Sequence, residues 1–419
     1  MKSLKIIGLS FFGLISIGTY AQEFDASLQL RPRFEYRNGF KSLIKDSEDA
    51  TSFVSQRSRL ILNFKQDKLK TKLSLQNIRT WGDVATTTTA DKNAIAVFEA
   101  WAQYDFDTNW SARLGRQVLS YDNQRILGEI DWAQQGQSHD AAVISFHPKN
   151  NQLDLGFALN ANAENVVAPT TAYTTNYKSL QYAWYHTQFS KVNMSLLFMN
   201  TGYEFAKTTT DLKVNYKQTY GTYLSYKENK WDANLGLYGQ SGKSFDNDVK
   251  AYYAGANIGY ALTGNLKASL GYEFLSGKDQ NDTSRDYKSF TPLFGTNHGF
   301  NGFMDYFYVG NHQNSVGLSD AFLKLNLTQN KWQFSLTPHL FSAPNTVLDA
   351  SNVKMDPYLG TEIDFTAGYA LQKDIVASAG YSQMFGSSTL ERLKGGNAGN
   401  TNNWVWMMVS FSPKLFTFK

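Results

Sequence analysis

Apolar residues recur at every second position along nearly the whole chain. In NLKASLGYEF (265–274), Leu266, Ala268, Leu270, Tyr272 and Phe274 share one face, while Lys267, Ser269, Gly271 and Glu273 share the other. KWDANLGLYG (230–239) and KWQFSLTPHL (331–340) repeat the pattern. A helix would space its apolar residues three and four apart, and no long stretch does so. The chain is therefore all β, in about eighteen strands of roughly ten residues, the length a tilted membrane strand needs. The expected strands are 24–37, 52–65, 69–80, 95–106, 109–118, 139–147, 151–162, 178–189, 191–200, 213–227, 230–240, 249–261, 264–276, 318–327, 331–341, 356–370, 373–386 and 403–412.

Between the strands, short and long connectors alternate. The tight set includes QDK (66–68), DTN (107–109), KENK (227–230) and TQNK (328–331). The long set includes 38–51, 81–94, 119–138, 163–177 and 277–317. A soluble sandwich has no reason to sort its loops by end. A closed antiparallel transmembrane barrel does, with tight turns on the periplasmic side and long loops outside. Closure also pairs every backbone polar group that would otherwise face lipid. An even strand count puts both termini on the periplasmic side.

Composition agrees. Aromatic residues reach 15%, prolines number 8, and there is no cysteine. Aromatic girdles and a polar lumen produce such a balance, and the missing thiols exclude a disulfide scaffold. A formal charge of only +4 argues against nucleic acid as a partner. Residues 1–21 read as a secretory signal, with Lys2 and Lys5 before an apolar run and Thr19-Tyr20-Ala21 as the cleavage site. The remaining residues, 22–419, form one barrel domain with no linker or plug domain, expected in the outer membrane of a Gram-negative bacterium among its lipids and lipopolysaccharide.

The arginines are unevenly placed. Nine of eleven lie at or before position 125, and RLGRQVLSYDNQRILG (113–128) alone holds three. In SLQLRPRFEYR (27–37), Leu28, Leu30, Pro32, Phe34 and Tyr36 suit lipid, which turns Arg31, Arg33, Glu35 and Arg37 inward. The second strand likewise sends Arg57 and Arg59 inward. An arginine facing mid-membrane lipid costs about 2–4 kcal/mol. In the fourth strand Glu99 turns inward, opposite Phe98. In the fifth, Arg113 turns inward and Arg116 falls at the outer rim or, through a bulge, inward. Glu35 and Glu99 are too few to neutralise this wall, so the surplus favours an anion path, since guanidinium groups grip carboxylates in a bidentate fork. The bland alternative is arginines that merely brace the wall.

Three stretches, RPRFEYR (31–37), LGRQVLSYDNQRILG (114–128) and DWAQQGQSHDA (131–141), resemble the alginate-export barrels of Gram-negative outer membranes. The resemblance is dense over the first third of the chain. It implies an eighteen-stranded, monomeric barrel whose arginine-lined lumen conducts a polyuronate past inward-folded loops, with Arg31, Arg33, Arg113, Arg116, Arg125 and Asp140 at motif positions. The strands after residue 125 carry no arginine, and Lys213, Lys217, Lys267 and Lys324 compensate only partly. A more general anion channel on the same barrel is the broader reading. A non-specific porin is the nearest alternative, and a barrel enzyme or structural surface protein a more distant one.

Two loops are expected to gate the pore, 119–138 and 277–317. The first is too apolar to extend into water, so Ile126, Leu127, Ile130 and Trp132 should pack into the lumen. Arg125 should travel with them, and Arg125 or Arg113 should pair with one carboxylate, the candidates being Glu35, Glu99, Asp122 and Asp140. Arg31, Arg33, Arg57 or Arg59 is then left free for solute. No enzyme chemistry is expected. Ser138-His139-Asp140 lies in a strand, where neighbours point to opposite faces; an inward Ser–His or Asp–His pair at the rim would be the mark of the enzyme alternative. The six histidines show no metal-ligand spacing, and no cofactor is expected. Asp279, Asp282 and Asp286 lack the ligand order of a tight calcium loop and read as a solvated loop.

Overall fold

The computed structural model describes residues 22–88, 90–208 and 211–418; the expected signal segment lies outside them. The strands are β1 (Gln22–Asn38), β2 (Thr51–Gln66), β3 (Leu69–Thr80), β4 (Ala96–Asp105), β5 (Trp110–Gln117), β6 (His139–Phe146), β7 (Asn151–Leu159), β8 (Ser179–Phe189), β9 (Val192–Ala206) and β10 (Leu212–Glu228). They continue as β11 (Trp231–Ser244), β12 (Asn247–Asp248), β13 (Ala251–Ala261), β14 (Leu266–Leu275), β15 (Leu318–Gln329), β16 (Trp332–Ser342), β17 (Tyr358–Gln372), β18 (Ile375–Gly386), β19 (Asn402–Phe411) and β20 (Lys414–Phe418). The only α-helix among the described residues, α1 (Ser388–Lys394), sits in the last long loop.

Each strand pairs antiparallel with its neighbour, and β19 returns to β1, so the sheet closes on itself. Two strands stand outside the count of eighteen. β12 only extends β11 beyond the barrel, and β20 continues β19 along β1 past Ser412-Pro413. Proline donates no ladder hydrogen bond, and here its carbonyl instead accepts from Leu28 N at 3.1 Å. The expected final strand, 403–412, missed this continuation.

The tight turns share a chemistry. Asp67, Ser190, Asn229 and Asn330 open two-residue turns before a lysine and take φ of 49–55°. Short polar side chains tolerate the left-handed region best. Beside these turns, aromatic residues pair across strands on the outer face. Trp110 stacks on Phe146 at 4.4 Å, Trp231 meets Tyr260 at 4.5 Å, and Trp332 meets Tyr369 at 4.6 Å. This is an interfacial girdle. Above it, Leu114, Leu237, Leu270, Leu340 and Met407 form an exposed apolar belt for lipid.

Inside, the barrel is not empty. Leu119, Ile126 and Leu127 from one long loop are buried with Phe290, Phe294, Met304, Tyr306 and Phe307 from another. The two loops join edge to edge through a parallel bridge between Leu127 and Phe294.

Candidate functional site

Arg31 of β1 and Arg57 of β2 are direct cross-strand partners on the inward face. Like charges so placed repel, and something must balance them. It is Asp131, carried in by the loop 118–138. Its carboxylate meets Arg57 Nη2 at 2.7 Å and Arg31 Nη1 at 3.2 Å. Burial alone would raise the Asp131 pKa, but Arg57 and Arg31 outweigh it and hold the carboxyl below its ordinary range.

Backbone carbonyls complete the clamp. Arg31 Nη2 donates to the carbonyls of Asp131, Trp132 and Ala133, Arg33 Nη1 donates to Trp132 O at 2.7 Å, and Arg57 Nη1 donates to Gln134 O. Gln134 crosses back to Arg31 O and Ser55 Oγ. Arg33 also lies 4.1 Å from the centre of the Trp132 ring, a cation–π contact. Arg59 grips Gln76 with two nitrogens and stacks 3.7 Å over Phe98. Glu35 accepts from Arg33, from Arg37 and from Trp404 Nε1.

These contacts place the loop where the sequence put it. Ile126 and Leu127 are buried, Trp132 packs among Trp404, Trp406 and His298, and Ile130 is half-buried with a φ of +50°. The expectation that Arg31, Arg33, Arg57 or Arg59 stays free is overturned. All four are buried and committed to the loop or wall, because a guanidinium has five donors and a folded-in loop offers more carbonyls than carboxylates.

Arg125 is buried, yet none of Glu35, Glu99, Asp122 and Asp140 is its partner. It meets Glu273 of β14 at 2.9 Å and Asn301 Oδ1 at 2.7 Å, with Phe300 and Tyr253 against its face. Asp122 instead accepts from Trp184 Nε1. Glu99 is inward as expected, paired with Lys72 and Trp101 Nε1. A register shift opposite Ser74 and Leu75 turns Phe98 inward as well, against its expected lipid face. Arg113 is inward, bound to Gln117 at 2.6 Å.

Arg116 and Asp140 are not lumen residues. They face each other across β5 and β6 on the outer surface, joined at 2.9 Å, and both are solvent-accessible near the outer rim. At the end of a strand a charged pair reaches the aqueous interface, so the lipid penalty fades. His139, between Ser138 and Asp140, is buried on the inner side and bound to Tyr177.

A second charged sector was not foreseen. Glu273, Asp320, Glu362 and Asp364, on β14, β15 and β17, are buried on the inner wall around His339 of β16. They hold the loop 276–317. Asn301 Nδ2 donates to Glu273 and Asp320, Phe303 N to Asp364, and Met304 N to Glu362 at 2.7 Å. In sequence only Glu362 and Asp364 are neighbours, and the barrel register gathers the others to them. Two inward Asp–His pairs result, His298–Asp305 at 2.8 Å and His339–Asp320 at 2.9 Å. Among the described residues neither imidazole is hydrogen-bonded to a serine or threonine hydroxyl. Asp279, Asp282 and Asp286 are held apart by Thr346 N, Lys288 and Lys250 respectively.

Below both loops, towards the tight turns, a cavity of about 670 Å³ remains. Trp132, His298, Phe303 and Trp406 border it on one side, and the inner faces of β15–β18 on the other.

The barrel is similar to solved outer-membrane proteins. Acinetobacter baumannii OccAB4 superposes with a TM-score of 0.65 at 12% identity, covering 95% of this chain and 99% of that one. Pseudomonas aeruginosa OccK9 (OpdG) gives 0.64 at 13% identity, covering 94% and 98%. P. aeruginosa OpdK, solved with vanillate, gives 0.60 at 13% identity, covering 94% and 99%. No curated protein matches the sequence. A model of the alginate export family matches residues 22–401; the chain belongs to that family, as a porin-type barrel of the Gram-negative outer membrane.

Proposed function

We propose that this channel passes anionic solutes by diffusion, sugar acids or a polyuronate foremost, and that it works as a conduit and not as an enzyme. The observation that carries the reading is the seat of Asp131. A carboxylate already lies between two guanidinium groups on the lumen wall, so the wall has the geometry a solute carboxylate needs. Five guanidiniums (Arg31, Arg33, Arg37, Arg57 and Arg59) share this sector with Glu35, Asp131 and Glu129, while Glu99 is matched by Lys72, which leaves the sector positive. The family's own solute, alginate, is a polyanion, and OpdK was solved with an aromatic carboxylate.

The carboxylate sector on β14–β17 favours a second reading, a general porin without charge preference. Reversal potentials in planar bilayers under a salt gradient separate the two. The first predicts anion preference, which Arg→Glu at Arg31, Arg33, Arg57 and Arg59 together reverses or abolishes. No lipid-facing position changes, so the barrel should still migrate as a folded species before heating. Unchanged selectivity in that variant would reduce the arginines to bracing.

A further inference from the structure

The cavity beneath the loops is chemically unlike the two charged sectors on either side of it. Between β17 and β1 lie only β18 and β19, whose inward residues there include Ser378, Gly380, Ser382, Trp404 and Trp406. Its lining includes no aspartate, glutamate, lysine or arginine. Six polar side chains line its strand wall, Asn326, Thr328, Gln333, Ser335, Thr366 and Ser378, with Val376 beside them. Their registers place them side by side, since Asn326 faces Ser335, Thr328 faces Gln333, and Ser335 faces Thr366. None of the six side chains has a hydrogen-bond partner among the described residues. The facing wall is aromatic, and it presents further unused polar atoms. The indole nitrogens of Trp132 and Trp406 have no protein acceptor there, and His298 spends Nδ1 on Asp305, which leaves Nε2 free.

We propose that this vestibule is a binding site for the uncharged ring of a sugar, a pyranoside held by its hydroxyls to the amide and hydroxyl wall and by its C–H face to the aromatic wall. The inference rests on the channel reading, because the vestibule lies within the lumen. Its volume falls inside the roughly 300–1,000 Å³ of small-molecule sites. The lining itself offers an anion no cationic side chain: Arg33 is already spent on Trp132 and Glu35, Lys267 across from Asn326 is paired with Asp232, and Lys324 borders the neighbouring cavity beside Glu273 and His339. A purely apolar solute would leave the polar wall dry and unpaired, which costs free energy at each group. A ring with a polar rim and an apolar face meets both walls.

Two glycines shape the space differently. A Cβ on Gly380 would fall 2.2 Å from Trp406 Nε1, so that glycine lets the indole lie flat on the wall. A Cβ on Gly368, which borders the vestibule, would meet nothing closer than 4.0 Å. Gly368→Leu therefore fills the site from the wall itself, its side chain standing between its cross-strand neighbours Gln333 and Ser378.

The test is a titration of the full-length protein in detergent micelles with methyl α-glucopyranoside and maltotriose, followed by tryptophan emission. Saturable quenching is expected, with the half-saturating concentration raised about ten-fold or more (about 1.4 kcal/mol) by Gly368→Leu. The triple variant Asn326→Ala, Gln333→Ala, Thr366→Val should weaken binding without filling space, and Trp406→Phe should reduce the amplitude. No saturable response in the native protein overturns the proposal, as does a response that all these variants leave intact. So does equal quenching by a polyethylene glycol of the same size, which marks the space as steric only. Reversal potentials on the same preparation read the anion preference independently, so a failed sugar titration beside a retained preference removes this site and leaves the channel reading standing.

Discussion

Asp131 sits half-exposed between two buried arginines, and that asymmetry sets what its loss does. Asp131→Ala takes away the one carboxylate shared by Arg31 and Arg57, restores their repulsion, and leaves the loop held by its carbonyls alone. Single-channel conductance should rise and become noisier, and an unchanged trace would mean that the carbonyl contacts suffice. The pH dependence has a definite sign. Asp131 titrates below its ordinary value of about 3.9, so the clamp is fully formed above that value and is lost only as pH falls through the depressed one. The part of the conductance that depends on Asp131 should stay flat from pH 7 to about 4 and change below it, and a higher transition that survives Asp131→Ala would belong to another group such as Glu129, which burial holds above its ordinary range. Glu273→Ala strands the buried guanidinium of Arg125, for which removal of one partner of a buried pair costs about 3–5 kcal/mol. Thermal unfolding, or protease attack on the loop 118–138, should register that loss.

At the level of elements, the sequence was easiest to read where one residue decides one face. β3 falls on its expected bounds, 69–80, and the other barrel strands fall close to theirs, apart from β9 and β11, which run six and four residues beyond their expected ends into the outer loops; lipid on one side and water on the other enforce the two-residue period. The misreadings fall where that period is interrupted. The shift at Phe98 lies inside an otherwise regular β4, and Pro413 divides the last strand so that its tail looked like an end. Arg116 obeyed the period and stands at the outer rim, one of its two expected places; no bulge turns it inward, and Asp140 waits across the strand pair. Loop burial was legible from Ile126 and Leu127, but the partner of Arg125 was not, since Glu273 is distant in sequence and only barrel closure brings it near. The loops also depend on each other. Phe294 wedges against His139 and Tyr177 while bridging to Leu127. Phe294→Ala should cost about 3–5 kcal/mol of local packing, loosening both loops together. Limited proteolysis should then cut 118–138 and 276–317 at similar rates, with heat-dependent migration of the barrel unaltered.

On the scale of the whole molecule, the closed sheet acts as a rigid ring that carries a positive sector on β1–β2 and a negative sector on β14–β17, each capped by its own loop. The caps match their walls: backbone carbonyls and Asp131 for the guanidiniums, backbone amides and Asn301 for the carboxylates. Neither loop is therefore a neutral plug, and removing either one uncovers a charge of known sign. Replacing 120–137 with a short glycine-serine turn widens the lumen and frees Arg31, Arg33 and Arg57 of their loop contacts. It also removes Arg125, yet the exposed wall beneath is cationic, and anion preference should increase. Replacing 278–315 widens the lumen from the other side and strips Glu362, Asp364 and Asp320 of the loop donors that hold them, so preference should move towards cations. Confined charges of one sign concentrate their counter-ions, and salt screens the effect over about 10 Å at 0.1 M. Both shifts should thus shrink between 0.1 M and 1 M salt while the gain in conductance persists. Widening alone would move both deletions the same way, towards the weak selectivity of a large aqueous pore, and that shared direction would refute the two-sector arrangement.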